Sequence, residues 1–196
     1  MKYYQEITLL PDSEVGLYFL WQKVFMQIHL TLVSVKDSDN MVGIGVSFPE
    51  YEFGESNSSL GSKLRLFAES EEVLVNAKIA EKLKRFSDYI HITTIRTVPN
   101  VKGYASFVRW SGDQNPERLA RRRAKRHNES FEEALAYYKK FKAKFTPPFI
   151  QMKSLSGGRD FRLYIKKNLV EKPVVGKFST YGLAVQSEIV STVPVF

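Results

Sequence analysis

The sequence of 196 residues contains no cysteine. That absence excludes disulfide frameworks, thiolate nucleophiles and cysteine zinc sites together, and it fits a reducing compartment. No run of about 18 uninterrupted apolar residues occurs. The opening MKYYQEITLLPD alternates like a strand and carries no long apolar core. No membrane contact is therefore expected, and the chain reads as a soluble cytoplasmic protein. The histidines, His29, His91 and His127, show no zinc-ligand spacing, and Asp37, Asp39, Glu50, Glu52 and Glu55 form no recognisable metal cluster. The segment SLSGGRDF at 154–161 lacks the Gly-Lys-Ser/Thr ending of a phosphate loop, which disfavours nucleotide hydrolysis. No metal and no cofactor are expected. Repeats and low-complexity tracts are missing as well.

What is present suits one large domain or two small ones. Hydrophobic residues make up 43% and charged residues 26%, close to the globular average, so a core can form without staples. The net charge of +8 is unevenly spread: residues 1–100 carry 10 Lys/Arg against 13 Asp/Glu, and residues 101–196 carry 19 against 8. A field this lopsided serves a polyanion.

The first half reads as β-α-β-β-α-β. Residues 2–9 alternate as a half-buried strand does, and Pro11 to Ser13 form a turn with capping oxygens. Leu17, Leu20, Trp21, Val24, Ile28 and Leu32 recur at helical spacing over 16–34. GIGVSF (43–48) and SKLRLFA (62–68) read as strands. Ser70, Glu71 and Glu72 open a helix with Val73, Leu74, Ala77, Ala80 and Leu83 on its apolar side. YIHITTIRTV (89–98) is rich in β-branched residues and reads as strand. The order predicts an α+β fold with an N-terminal ferredoxin-like (RRM-like) domain over 1–98, a fold that names no function by itself.

The remainder, 99–196, predicts a basic region with an arginine-rich helix at 116–127 and a small sheet. Strands are expected at 104–110, 149–153, 161–167 and 178–184, and a second helix over 130–145 with Phe131, Leu135, Tyr138 and Phe141 on its apolar side. Asn115-Pro116-Glu117 is a strong helix start. Six of the nine residues from 118 to 126 are Lys or Arg, with no acid among them. Arg118, Arg121, Arg122, Lys125 and Arg126 repeat like charges at i,i+3 and i,i+4, which costs an isolated helix a few tenths of a kcal/mol per pair. An anionic partner removes that cost, so the helix points to nucleic acid. RNA is favoured over DNA because Phe107, Trp110, Phe161 and Tyr181 lie among the basic residues, where they suit base stacking, although aromatics at strand spacing also suit a core. RNA carries its own nucleophile, the 2′-hydroxyl, and an imidazole can move its proton at neutral pH. From the residues alone, His29 reads as a surface or hydrogen-bonded residue on the polar side of the first helix, flanked by Gln22 and Gln27. His91 reads as packing in its strand and His127 as a cation complementing the helix dipole.

His29 in the first helix, GIGVSFP at 43–49, NPERLARRRAKRH at 115–127, FRLYI at 161–165, YGL at 181–183 and the terminal VPVF occur in a common order. In this order the chain resembles the CRISPR-associated repeat endoribonucleases of type I-F systems. The resemblance implies a metal-independent, sequence-specific enzyme that binds the CRISPR repeat hairpin and cuts precursor CRISPR RNA at its 3′ base. It implies a catalytic histidine at His29, a serine holding the ribose at Ser154 and a tyrosine arranging the site at Tyr181. It further implies base reading by Arg109, stacking under the last base pair by Phe161, and contacts to the stem, mainly to phosphate, from Arg118, Arg121, Arg122 and Arg126. The family's base-reading glutamine falls at Ser111, which cannot supply an amide pair to adenine; either the repeat differs or a neighbour such as Gln114 substitutes. The loop after Ser154 also departs, leaving Ser156 as a contact. The implied partners are the guide RNA and the backbone subunits of the type I-F surveillance complex. The alternative is a hairpin-binding module without turnover, in which His29 is structural.

Overall fold

A computed structural model describes the chain apart from residues 56, 112–115, 141–145, 155–156 and 187–189, and apart from the side chains of 116, 118, 139 and 140. The fold is mixed α+β. In chain order the elements are β1 (Tyr3–Leu9), α1 (Leu17–Ser34), β2 (Met41–Val42), β3 (Gly45–Ser47), β4 (Glu52–Phe53), β5 (Ser58–Ser59), β6 (Lys63–Ala68), α2 (Glu71–Ala77), α3 (Ile79–Lys82), β7 (Ile90–Ile92), β8 (Arg96–Thr97) and β9 (Gly103–Arg109). There follow α4 (Pro116–His127), α5 (Phe131–Lys140), β10 (Phe149–Lys153), β11 (Asp160–Val170), β12 (Phe178–Ser179) and β13 (Val193–Val195).

One sheet has the order β3-β6-β1-β7, with β8 also pairing β1, and every pair in it is antiparallel. Alternation in β1 turns Gln5, Ile7 and Leu9 inward, where they meet α1. That helix buries Leu20, Trp21, Val24, Phe25, Ile28 and Leu32 along one stripe. Asp12 Oδ1 accepts the backbone N–H groups of Glu14 and Val15 at 2.8 and 2.6 Å, so the turn before α1 is closed by a carboxylate while Gly16 itself caps the helix.

The helix expected over 70–83 is interrupted. Lys78 adopts the left-handed conformation at φ 51°, separating α2 from α3, and a 3-10 turn at Lys84–Phe86 follows. The break resets the helical phase: Ile79 becomes the buried residue, and Ala80, expected inside, is exposed. The strand expected over 89–98 is likewise split into β7 and β8, and His91, expected to pack, is exposed.

A second sheet has the order β10-β11-β9-β13. Phe107, expected among stacking aromatics, is 2% exposed and packs edge-on against Phe48 in the core. Contacts divide the chain elsewhere than at residue 98: one compact unit comprises Met1–Arg109 with Pro147–Phe196, the other Trp110–Thr146. In the smaller unit α4 packs on α5, with Ala120 and Ala134 fully buried. Phe131, Leu135 and Tyr138 are half-buried as the spacing predicts; Asn115 and Phe141 lie outside the described residues.

Candidate active site

Positions 25, 29 and 32 are one helical turn apart, so His29 shares the inward stripe of α1 with Phe25 and Leu32. It is 6% exposed, which corrects its expected place on the polar side. What covers it is a turn some 150 residues later in the chain. Strand β12 pairs with β2 in the register Phe178↔Val42 and Ser179↔Met41. The chain then reverses, with the Gly182 N–H donating to the Ser179 carbonyl at 2.7 Å. Gly182 sits at φ 69°, and a Cβ there would lie 2.5 Å from Val46 Cγ1, so only glycine fits. Thr180 and Tyr181 occupy the middle of this turn, directly over His29.

Two contacts fix the imidazole. Its Nδ1 lies 2.8 Å from the Thr180 carbonyl oxygen, and a carbonyl only accepts, so Nδ1 carries the proton. The ring of Tyr181 stacks on it with centroids 4.1 Å apart and planes 9° from parallel. In the neutral ring Nε2 then has the free lone pair. Burial lowers the pKa of His29, with the Thr180 bond opposing part of the fall, because a charged imidazolium loses solvation there. The imidazole is therefore mostly neutral at pH 7, with its free lone pair on Nε2. Burial raises the pKa of Tyr181, opposed by the charge of Arg109, so its phenol stays protonated.

Arg109 ends β9 and is exposed, with its guanidinium 5.5 Å from the centre of the half-buried Phe161 ring. His29, Tyr181, Arg109 and Phe161 thus form one neighbourhood, drawn from α1, the turn after β12, β9 and β11. Ser154 directly follows β10. Its N–H donates to the Arg159 carbonyl at 2.9 Å, and its Oγ accepts from the Gly157 N–H at 3.3 Å. It lines a groove shared with Gln22, Lys23, Met26 and Gln27 of α1, and His29 is not among the lining residues. Ser156 and Gln114 lie outside the described residues.

In the smaller unit Ser111 is exposed. Arg121 lies 3.8 Å from Glu117, while Arg122 and Arg126 are exposed with no carboxylate partner among the described residues; the Arg118 side chain is outside the description. Arg123 is different: it pairs with Glu129 and its guanidinium lies 3.9 Å from the Tyr137 ring centre. Among the described residues, Arg123 is therefore held across the helix pair and Arg121 is paired along α4. Sequence reasoning missed this, as it missed Thr180, whose carbonyl acts without any side-chain signal.

The chain matches the family described as CRISPR-associated protein (Cas_Csy4) over residues 4–196. It belongs to the Csy4 family of CRISPR-associated proteins. Two proteins named CRISPR-associated endonuclease Cas6/Csy4 are similar to it. That of Escherichia coli (strain UTI89 / UPEC) is 34% identical over 191 residues, 96% of this chain and 98% of that protein. That of Pseudomonas aeruginosa (strain UCBPP-PA14) is 34% identical over 187 residues, 94% of this chain and 96% of its own length. The family likeness thus spans both compact units.

Proposed function

We propose that this Csy4-family chain is a metal-independent endoribonuclease that binds the CRISPR repeat hairpin and cuts precursor CRISPR RNA at the hairpin's 3′ base. In this reading Nε2 of His29 takes the proton of the ribose 2′-hydroxyl, whose oxygen attacks the adjacent phosphorus. The P–O5′ bond breaks, and the products are a 2′,3′-cyclic phosphate and a 5′-hydroxyl. Ser154 holds the ribose, and Tyr181 keeps the imidazole ring in place. Arg109 reads a base at the foot of the stem, Phe161 stacks under the last pair, and Arg118, Arg121, Arg122 and Arg126 take phosphates. Residues 1–98 supply a ferredoxin-like arrangement carrying the base, a reading supported by the antiparallel order β3-β6-β1-β7; 99–196, of which the part up to Arg109 and from Pro147 packs in the same compact unit, supply the basic, hairpin-binding residues. The cytoplasmic protein stays on its product as part of the type I-F surveillance complex, with the guide RNA and the backbone subunits as partners.

The observation that carries this reading is the bond from Nδ1 to the Thr180 carbonyl, which points the lone pair of a neutral, buried imidazole through Nε2. Incubating the protein with labelled repeat RNA in EDTA tests it. Cleavage should proceed, and a substrate with one 2′-deoxy sugar just 5′ of the cut should bind and resist. Cleavage of that substrate, or loss of activity on chelation that Mg²⁺ restores, would show that a metal-activated water attacks instead. Binding without cleavage of any repeat would leave a hairpin-binding module with a structural His29.

A further inference from the structure

We propose that the groove beside Ser154 receives the single-stranded RNA immediately 3′ of the cut. The proposal rests on the reading of the chain as a repeat endoribonuclease and adds a binding track to it. The groove, about 460 Å³, runs between the outer face of α1 and Lys153, Ser154 and Gly158. Three exposed cations from separate segments converge on it: Lys23 from α1, Arg85 from the 3-10 turn, and Lys153 from the end of β10. Among the described residues no carboxylate lines the groove or pairs with any of the three. Like charges gathered around one concavity repel, and although Arg85 rests 4.8 Å from the Phe86 ring centre no carboxylate neutralises them, so an anion completes the arrangement.

A polynucleotide fits better than an acidic peptide because of where the groove begins. Ser154 is in its wall, and the ribose held there is joined through the scissile phosphate to the next nucleotide on the 3′ side. The continuation of the cut strand therefore enters the groove directly, whereas the other flank leaves from the opposite strand of the stem. The α1 side of the groove supplies apolar surface from Met26 and Leu30. One turn before Lys23, Phe19 is 50% exposed, with the Lys23 ammonium 5.1 Å from its ring centre. A ring so placed stacks a base while the ammonium takes a phosphate.

Cleavage-blocked hairpins, each with a 2′-deoxy sugar at the cut, test the track when they end either one or six nucleotides beyond it. At 50 mM salt the longer RNA should bind the wild-type protein at least about twentyfold tighter, and if three single-strand phosphates are neutralised that advantage should shrink by about 10- to 20-fold at 200 mM, close to nothing. The triple variant Lys23→Gln, Arg85→Gln, Lys153→Gln should bind both RNAs with one affinity at either salt. Equal binding of the two RNAs by the wild-type protein would overturn the proposal. Retention of the length advantage in the triple variant would overturn it too, placing the overhang elsewhere. Failure of the wild-type protein to bind either hairpin would instead strike the repeat-binding reading itself, and this proposal with it.

Discussion

A histidine acts as a base at neutral pH only if it is neutral there and if its lone pair faces the proton it removes. Features remote in sequence favour both at His29: α1 buries the ring, and the Thr180 carbonyl holds the Nδ1 proton, which leaves the lone pair on Nε2. Because the folded pKa lies below the ordinary value of about 6.5, the neutral base predominates at pH 7 and is lost as pH falls through the lowered value. The acidic limb of the single-turnover rate should accordingly have its midpoint below that of an exposed histidine, and a midpoint above about 6.5 would contradict the burial argument. His29→Ala should slow cleavage by about 10²- to 10⁴-fold and leave hairpin affinity within a few-fold, as measured by filter binding beside the rate. Tyr181 separates two roles. If the ring alone matters, Tyr181→Phe should keep most of the rate, whereas Tyr181→Ala, which frees the imidazole to rotate, should lose it. The burial of His29 was legible from spacing, since it stands one turn from Phe25 and Leu32. The flanking Gln22 and Gln27 hid it, because sequence neighbours on a helix point in different directions.

At the level of elements, α4 shows how a charge run divides its labour. Arg123 is held by Glu129 and Tyr137, while Arg122 and Arg126 project from the exposed side. Arg122→Ala with Arg126→Ala should weaken many hairpins alike and flatten the salt dependence by about two phosphates' worth, whereas Arg109→Ala should chiefly erase preference for the cognate base pair. Phe161→Ala should cost about 1–3 kcal/mol of hairpin affinity if the ring stacks under the stem; unchanged affinity in a folded variant would return Phe161 to a packing role. Strongly periodic elements such as β1, α1, β6 and β9 were readable because alternation or the 3.6-residue repeat persists through them. The break at Lys78 was not. Val73, Leu74, Ala77, Ala80 and Leu83 keep an apolar rhythm across it, and a lysine carries no mark of the left-handed conformation it adopts.

At the scale of the molecule, the charge step near residue 100 suggested a boundary that the contacts place differently. Residues Gly103–Arg109 and 147–196 supply strands to the larger unit, and among the described residues the hydrophobic core that contains Phe25, Phe48 and Phe67 draws on 1–109 and 147–196. Residues 110–146 are thus an insertion between β9 and β10, two strands that flank β11 on either side. The insertion's ends are joined to strands about 10 Å apart, two inter-strand spacings, which about five Gly/Ser residues can span. A chain with 110–146 replaced by such a linker should fold with the circular dichroism and thermal midpoint of the larger unit's core, because no cluster residue is removed. It should lose the phosphate contacts proposed for α4, and with them on the order of 10²-fold or more in hairpin affinity at 150 mM salt. An unfolded product would show that the core depends on the insertion; a folded product with undiminished affinity would show that the hairpin is gripped without the arginine helix.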